Sequence, residues 1–433
     1  MVQAESQVFA LVDVNNFYVS CERAFNPGLR GKPVVVLSNN DGCAVARSSE
    51  VKALGVAMGA PWFMLKDLAK QHGIIALSSN YTLYGDMSNR VMEILRTFSP
   101  NVEVYSIDES FVSLNGMDAM WQQRAQLGQK IRKQVLQWTA LPVCVGISTS
   151  KTLAKMANHI AKKQPRFQGV CDLTSLAPAD VDTILAGIDV GEVWGVGRRI
   201  SEKLRAMGIN TVQDLRTASP KGLRQHFGVV MERTCEELRG VSCMGLQEVA
   251  PARQEIISSK SFGELVFEFS ELEEAVSQYM TRAAEKLRGQ QSYCNSVNVF
   301  IHTDPFRLKD RQYSRSITVP MQDPSNDTRD LVRAAIMGLK RIYRPGYKYK
   351  KAGVVLMGLS RESTKQGTLF EESWNMQTSA AVMGALDALN KRFGRDTVKI
   401  ASAASSARWT AKFENKTPHY TTDWGQLPTA FAR

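Results

Sequence analysis

The chain has 433 residues and a mass of 48.1 kDa, enough for roughly two to four domains of about 100–200 residues each. Its composition, 44% hydrophobic and 22% charged, is that of an ordinary soluble protein with a core. The 54 Lys and Arg against 42 Asp and Glu leave a net charge of +12 and a pI near 9.3, which points to a polyanionic partner, nucleic acid or an anionic membrane surface.

The N-terminal stretch "MVQAESQVFALVD" lacks a basic region, and Asp13 interrupts its short apolar run. No signal peptide is expected, and no segment reaches the ~20 apolar residues of a membrane span. Within this stretch "VFALVDV" (8–14) reads as a buried strand that runs into "VNNFYVSCERAF", a turn and short helix. Asp13 at its end is either a helix N-cap or a functional acid held rigidly at a sheet edge. Further strands are expected at 32–38, 102–107 and 141–149, and helices at 84–98 and 118–138. In the second helix Met120, Leu127, Ile131, Val135 and Trp138 approximate one face. Strands interspersed with helices imply an α/β or α+β domain.

From about 175 to 240 the chain becomes helical and punctuated by glycine, and 241–255 reads as a linker. Strands follow at 296–303, 314–320 and 351–359, with helices "LEEAVSQYMTRAAEKLRGQ" and "TRDLVRAAIMGLKRIY" among them. From about 360 the sequence is polar and weakly patterned, and a partly extended tail is expected. The seven cysteines (Cys21, Cys43, Cys144, Cys171, Cys235, Cys243, Cys294) form no C-x-x-C pair, so reduced thiols in the cytosol fit better than a zinc site or disulfides.

"YSIDESF" (105–111) sets Asp108 and Glu109 side by side in a β-prone run. A regular strand would send one of them into the core, where an unpaired carboxylate is costly. If "VEVYSI" and "SFVSL" form an antiparallel hairpin, both acids occupy its turn and face one edge. With Asp13 beside them three acids would converge, an arrangement stable around cations, and an all-oxygen site suits Mg²⁺. Two such ions ~3.5–4 Å apart assist displacement at phosphorus.

Lys155 and Lys162 lie seven apart on a predicted helix, and 151–166 holds five basic residues and no acid. That asymmetry favours a phosphate ligand, with a solvated basic face as the alternative. "VWGVGRRISEKLRAMGI" has the chemistry of a helix–hairpin–helix. Gly195 and Gly197 permit a tight turn whose N–H groups face a phosphate, Arg198 and Arg199 add charge, and Leu204 and Ile209 pack the helices. In 304–351 twelve basic residues face five acidic ones, which suits tracking of a nucleic-acid backbone. "QGTLF" (366–370) offers an apolar pair in a polar setting, suited to docking in a partner's pocket.

"DVNNFYVSCE" together with "YSIDESF" resembles the metal-binding motifs of Y-family translesion DNA polymerases. "GKPVVVLSNNDGCAVARSSEVKALGVAMGAPW", "SSNYTLYGDMSNRV", "VGISTSKTLAKMANHIAKK" and "VWGVGRRISEKLRAMGI" are similar to family segments in family order. The "SNNDGC" stretch and long tail most resemble the UmuC-type branch, the catalytic subunits of bacterial DNA polymerase V. The resemblance implies an α+β multidomain right hand: palm at 8–27 and 81–172, small fingers at 28–80, a helix–hairpin–helix thumb at 173–242, an α/β little finger at 250–358 and a partner-binding tail at 359–433. It implies Asp13, Asp108 and Glu109 as metal ligands for two Mg²⁺, with the Val14 carbonyl lending an oxygen. Tyr18 matches the steric gate against a ribose 2′-hydroxyl, Lys52 a triphosphate contact and Lys162 the β- and γ-phosphates. Ser49 departs from the tyrosine of many relatives. Gln366, Leu369 and Phe370 match the sliding-clamp pentapeptide, although Gly367 replaces its usual leucine. The implied activity is error-prone, DNA-directed nucleotidyl transfer from dNTP to primer in the SOS response, in the bacterial cytoplasm and at the nucleoid. Implied partners are primer-template DNA, a cleaved UmuD-type dimer, a RecA filament and the clamp. A non-catalytic DNA-binding scaffold is the alternative; a nucleotide cyclase leaves the helix–hairpin–helix and basic C-terminal domain unexplained.

Overall fold

A computed structural model describes residues 7–117, 123–247, 251–361, 373–403 and 413–428. The chain divides into two compact units, one from 1–37, 44–250 and 415–433, the other from 38–43 and 251–414.

The first unit begins with β1 (Phe9–Val14), which is wholly buried. It continues with β2 (Val34–Leu37), β3 (Ala44–Arg47), β4 (Ile75–Ser78), β5 (Val102–Val104), β6 (Glu109–Ser113), β7 (Val143–Ser148) and β8 (Val170–Asp172). Five of these form one sheet, in the order β5-β6-β1-β7-β8, with β1 antiparallel to both neighbours. Strict alternation along β1 sends Ala10, Val12 and Val14 to one face, where they pack with Leu83, Val91 and Leu95 of helix Tyr81–Arg96 and Leu127, Ile131 and Val135 of helix Arg124–Thr139. Phe9 and Leu11 point the other way, against Phe111 and Ala154 of helix Lys151–Lys163. That helix lies flush on β7: a Cβ on Gly146 would stand 2.1 Å from the Asn158 amide nitrogen and 2.3 Å from the Ala154 carbonyl. Asn158 donates to the carbonyls of Leu11 (3.3 Å) and Cys144 (2.9 Å), tying helix to sheet.

A smaller sheet, β3-β2-β4, packs Val35 and Leu37 against Val51, Ala69 and Ile74. The helices of 178–238 pack Leu185, Leu204, Leu215, Leu223 and Leu238 into one core with Leu153, Met156 and Ile160 of helix Lys151–Lys163. In the second unit β9 (Ile256–Val266), β10 (Ser292–Thr303), β11 (Ser314–Ser325) and β12 (Tyr349–Arg361) form an antiparallel sheet in the order β11-β10-β12-β9. Val297, Val299 and Ile301 face helices Phe269–Gly289 and Thr328–Ile342. Asn298, Phe300 and His302 occupy the opposite face.

Three expectations change. Glu109 is the first residue of β6 rather than part of the hairpin turn, which leaves Asp108 alone as its last residue. Trp138 is 60% exposed. The buried stripe runs 127-131-135-139 in steps of four, each advancing about 40° around the helix, so the packed face has turned past residue 138. Met120 lies outside the described residues. Finally, a helix, Ser373–Phe393, stands where a weakly patterned tail was expected. Its Ala, Met and Leu residues have high helix propensity, and Arg288 holds it through two 2.7 Å bonds to Asp387. Among the described residues no helix is long and apolar enough to cross a membrane.

Candidate active site

Register builds the site. Asp13 pairs directly with Glu109 across β1 and β6, so both side chains leave the sheet on one face. It is the face of Phe9 and Leu11, one step beyond the apolar contact with helix Lys151–Lys163. Asp108 is fastened beside them: its carbonyl accepts from the Val14 amide (2.9 Å), and its carboxylate accepts from Ser106 Oγ (2.6 Å). Ser106 Oγ also accepts from the Glu109 amide (3.0 Å), and the Glu109 carbonyl accepts from the amides of Tyr105 and Ser106. The turn is therefore rigid.

The helix above supplies counter-charge. Lys162 Nζ lies 2.6 Å from Asp13 Oδ2 and Lys155 Nζ 2.9 Å from Glu109 Oε2, so the two lysines share the face expected of them. Lys155 is also caged by aromatic rings, 4.4 Å from the centroid of Tyr105 and 5.0 Å from that of Trp194. Lys162 remains 34% exposed. Burial pushes the Asp13 carboxyl up to about 6; Lys162 pulls it down, and neighbouring Glu109 pushes it up. Among the described residues no three His, Cys, Asp or Glu side chains are gathered as a ready metal cage. The donors fit a hard cation nonetheless: carboxylates and a strand-end carbonyl, paired by register, whose need for positive charge is met by two ammonium groups.

Beside the acids stands an aromatic shelf. Tyr18, half-buried on helix Phe17–Phe25, stacks on Tyr84 (4.5 Å between centroids, 16° between planes) and meets Tyr81 edge-on at 5.9 Å. Burial raises its hydroxyl pKa, with Tyr81 and Asp108 adding to the effect. Lys52 donates to Asn16 Oδ1 (2.5 Å), and burial followed by the like charges of Arg47, Lys162 and Lys163 holds its ammonium below the usual lysine range. Lys52 and Lys162 thus belong to one basic cluster. Ser49, one turn before Lys52, donates to Glu50 Oε2 (3.3 Å). Sequence reasoning passed over Arg47, Trp194 and Asn16. The last has a left-handed backbone (φ 49°) that turns the chain sharply after β1; its "NN" pair was the available signal.

Gly195 takes φ 85°, closed to most residues, and Gly197 caps helix Arg198–Ala206 without a side chain. Arg198 and Arg199 are exposed there, and Leu204 is buried beneath. In the second unit the basic–aromatic run folds its rings inward: Tyr349 is fully buried and Tyr313 packs on Tyr347 at 4.8 Å. Lys351 stays on the sheet face opposite the helices, 5.9 Å from the Phe300 ring centroid. Gln366, Gly367, Leu369 and Phe370 lie outside the described residues.

Residues 12–159 match the impB/mucB/samB family and 253–369 its C-terminal domain. Residues 192–232 match the DNA polymerase-iota thumb domain, and 380–430 a domain of unknown function. The chain is 47% identical over 421 residues to Protein UmuC of Salmonella typhimurium, covering 97% of this chain and 99% of that one. It is 30% identical over 367 residues to a DNA polymerase IV of Xanthomonas euvesicatoria pv. vesicatoria, covering 83% and 96%. Among solved structures, a Y-family DNA polymerase chimera superimposes with a TM-score of 0.65 at 21% identity, over 82% of this chain and 99% of the chimera, a likeness of fold.

Proposed function

Since this chain belongs to the impB/mucB/samB family, we propose that it is a Y-family, DNA-directed DNA polymerase that performs error-prone synthesis across damaged template in the SOS response. The observation that carries this reading is the pairing of Asp13 with Glu109, with Asp108 in the adjoining turn and lysines leaning onto the acids. Asp13, Asp108, Glu109 and the Val14 carbonyl would hold divalent cations, which we take to be two Mg²⁺. When bound, such ions activate the attacking oxygen and stabilise the leaving group of a phosphoryl displacement.

The chain's own residues do the rest. Lys162 and Lys52 present positive charge to the triphosphate, and Lys162 can leave Asp13 for a phosphate because it is partly exposed. The Tyr18 ring closes the space that a ribose 2′-hydroxyl would need. Gly195, Gly197, Arg198 and Arg199 grip the DNA backbone without reading sequence. Partners proposed on the same footing are primer-template DNA and dNTP, a cleaved UmuD-type dimer, a RecA filament and, through Gln366, Leu369 and Phe370, a sliding clamp, all in the bacterial cytoplasm. Primer extension across an abasic site, with and without those proteins, tests the reading. Incorporation opposite the lesion is expected; tight binding of primer-template with no cation-dependent extension would favour a non-catalytic scaffold instead.

A further inference from the structure

The last described segment of the chain returns to the back of the aromatic shelf. The Asn415 carbonyl accepts from the Ser78 amide and the Asn415 amide donates to Ser78 Oγ, each at 3.0 Å, so Lys416 forms a parallel bridge at the end of β4. Asn80, fully buried, then grips the segment. Its side-chain nitrogen donates to the carbonyls of Thr417 (3.1 Å) and Pro418 (3.0 Å) and to Thr417 Oγ1 (3.1 Å). Its oxygen accepts from the Leu83 amide, capping helix Tyr81–Arg96. Tyr420 stacks on Phe25, with centroids 4.9 Å apart and planes 9° apart.

At the centre of this contact is a buried carboxylate. Glu22 Oε1 accepts from Tyr84 OH (2.7 Å) and Thr417 Oγ1 (3.2 Å). Tyr84 is the fully buried ring on which Tyr18 is stacked. The links Asn80–Thr417–Glu22–Tyr84–Tyr18 thus run from the C-terminal segment to the ring assigned above to sugar selection. A buried carboxylate is costly unless donors satisfy it. Removing one donor leaves Glu22 to seek water or another rotamer, and the Tyr84 hydroxyl follows it. Because the two rings are stacked, a shift of Tyr84 becomes a shift of Tyr18.

We propose that Thr417 and Asn80 are positioning residues for the sugar gate, so that the C-terminal segment sets nucleotide specificity through Glu22 and Tyr84. This rests on the gate reading of Tyr18. The chemistry it controls is the choice between deoxyribo- and ribonucleoside triphosphates.

The test compares kcat/KM for a dNTP and the matching rNTP in full-length protein, supplied with any partner proteins that extension requires. Thr417→Val, nearly isosteric, should lower the dNTP preference by roughly three- to tenfold, the effect of one hydrogen bond of about 1 kcal/mol. Thr417→Ser should restore it, and Tyr84→Phe should lower it comparably. In a Tyr18→Ala background Thr417→Val should have no further effect, since its action passes through the ring it positions. Unchanged preference in both Thr417→Val and Tyr84→Phe, with Tyr18→Ala still losing selection, overturns the proposal and leaves the gate standing. If Tyr18→Ala itself keeps full selection, the gate reading fails and takes the proposal with it. A change in thermal stability with the nucleotide ratio unmoved would mark the segment as a strap only, which also overturns the proposal.

Discussion

Gly146 offers a sharp test of how the site's roof is seated. Substituting alanine adds a single methyl group, which would lie 2.1 Å from the Asn158 amide nitrogen and 2.3 Å from the Ala154 carbonyl oxygen. Ordinary contact begins near 3.4 Å, so helix Lys151–Lys163 must rise from β7 by about 1.3 Å (3.4 − 2.1). Both obstructing atoms are backbone, and neither can be relieved by a rotamer change. Overpacking of this kind costs about 1–3 kcal/mol and more when the walls are rigid, so Gly146→Ala should destabilise the first unit by ~3 kcal/mol. At roughly 2–4 °C per kcal/mol for a body of this size, thermal unfolding should fall by about 6–12 °C. The displacement also lifts Lys155 and Lys162 from Glu109 and Asp13, so surviving folded protein should show a raised KM for nucleotide. Differential scanning calorimetry at neutral pH reads the first effect and steady-state extension the second. A Tm within about 2 °C of the parent would mean that the helix is not seated on the sheet as described.

Two further perturbations address the charges. Asp13 is held at about 6 against an ordinary 3.8, so the folded state binds its proton more tightly than the unfolded chain. That contribution is fully present below pH 3.8 and is lost as pH rises through about 6. Asp13→Asn, neutral throughout, should therefore gain stability over the parent by up to about 3 kcal/mol at pH 8 and about half that at pH 5. Urea unfolding at the two values checks it, and a gain independent of pH would sink the argument. Lys162→Ala should raise the KM for dNTP by roughly ten- to a hundredfold, the range for a hydrogen bond to a charged group, while moving Tm by less than about 2 °C, because this ammonium group is partly exposed. An unchanged KM would leave Lys162 as counter-charge for Asp13 alone.

Local pattern reveals some of this architecture and hides the rest. The strand at 8–14 and its terminal acid are legible because an unbroken apolar run can only be buried, and an acid at its end must be accommodated. The doublet Asp108–Glu109 is legible as an anomaly for the same reason. The hairpin register is not. Strand period alone cannot tell whether the turn ends before or after Glu109, and the partner that fixes it, Asp13, is 96 positions away (109 − 13). Alternation is in fact kept: Glu109 leaves the sheet on the side of Leu11, where lysine rather than hydrocarbon awaits it. Trp138 shows the complementary failure, since an apolar residue on a nominal helix face loses its cover once the packed stripe drifts. The four-residue strands β3 and β4 are too short for any period to register. The return of Asn415–Tyr420 to Asn80 and Glu22 has no local signal at all, because a polar segment that docks through hydrogen bonds reads like one that does not.

The most direct test of the central claim is single-turnover dNTP incorporation by Asp108→Ala, with primer-template affinity measured in parallel. Asp108 takes part in the turn through its main-chain carbonyl and its bond from Ser106, and the carbonyl is untouched by the substitution. Binding is expected within about twofold of the parent and incorporation reduced by at least about a thousandfold, the loss of several kcal/mol of transition-state stabilisation. Incorporation at the parental rate with binding intact would contradict it, and would remove the acids of β1 and β6 from the chemistry.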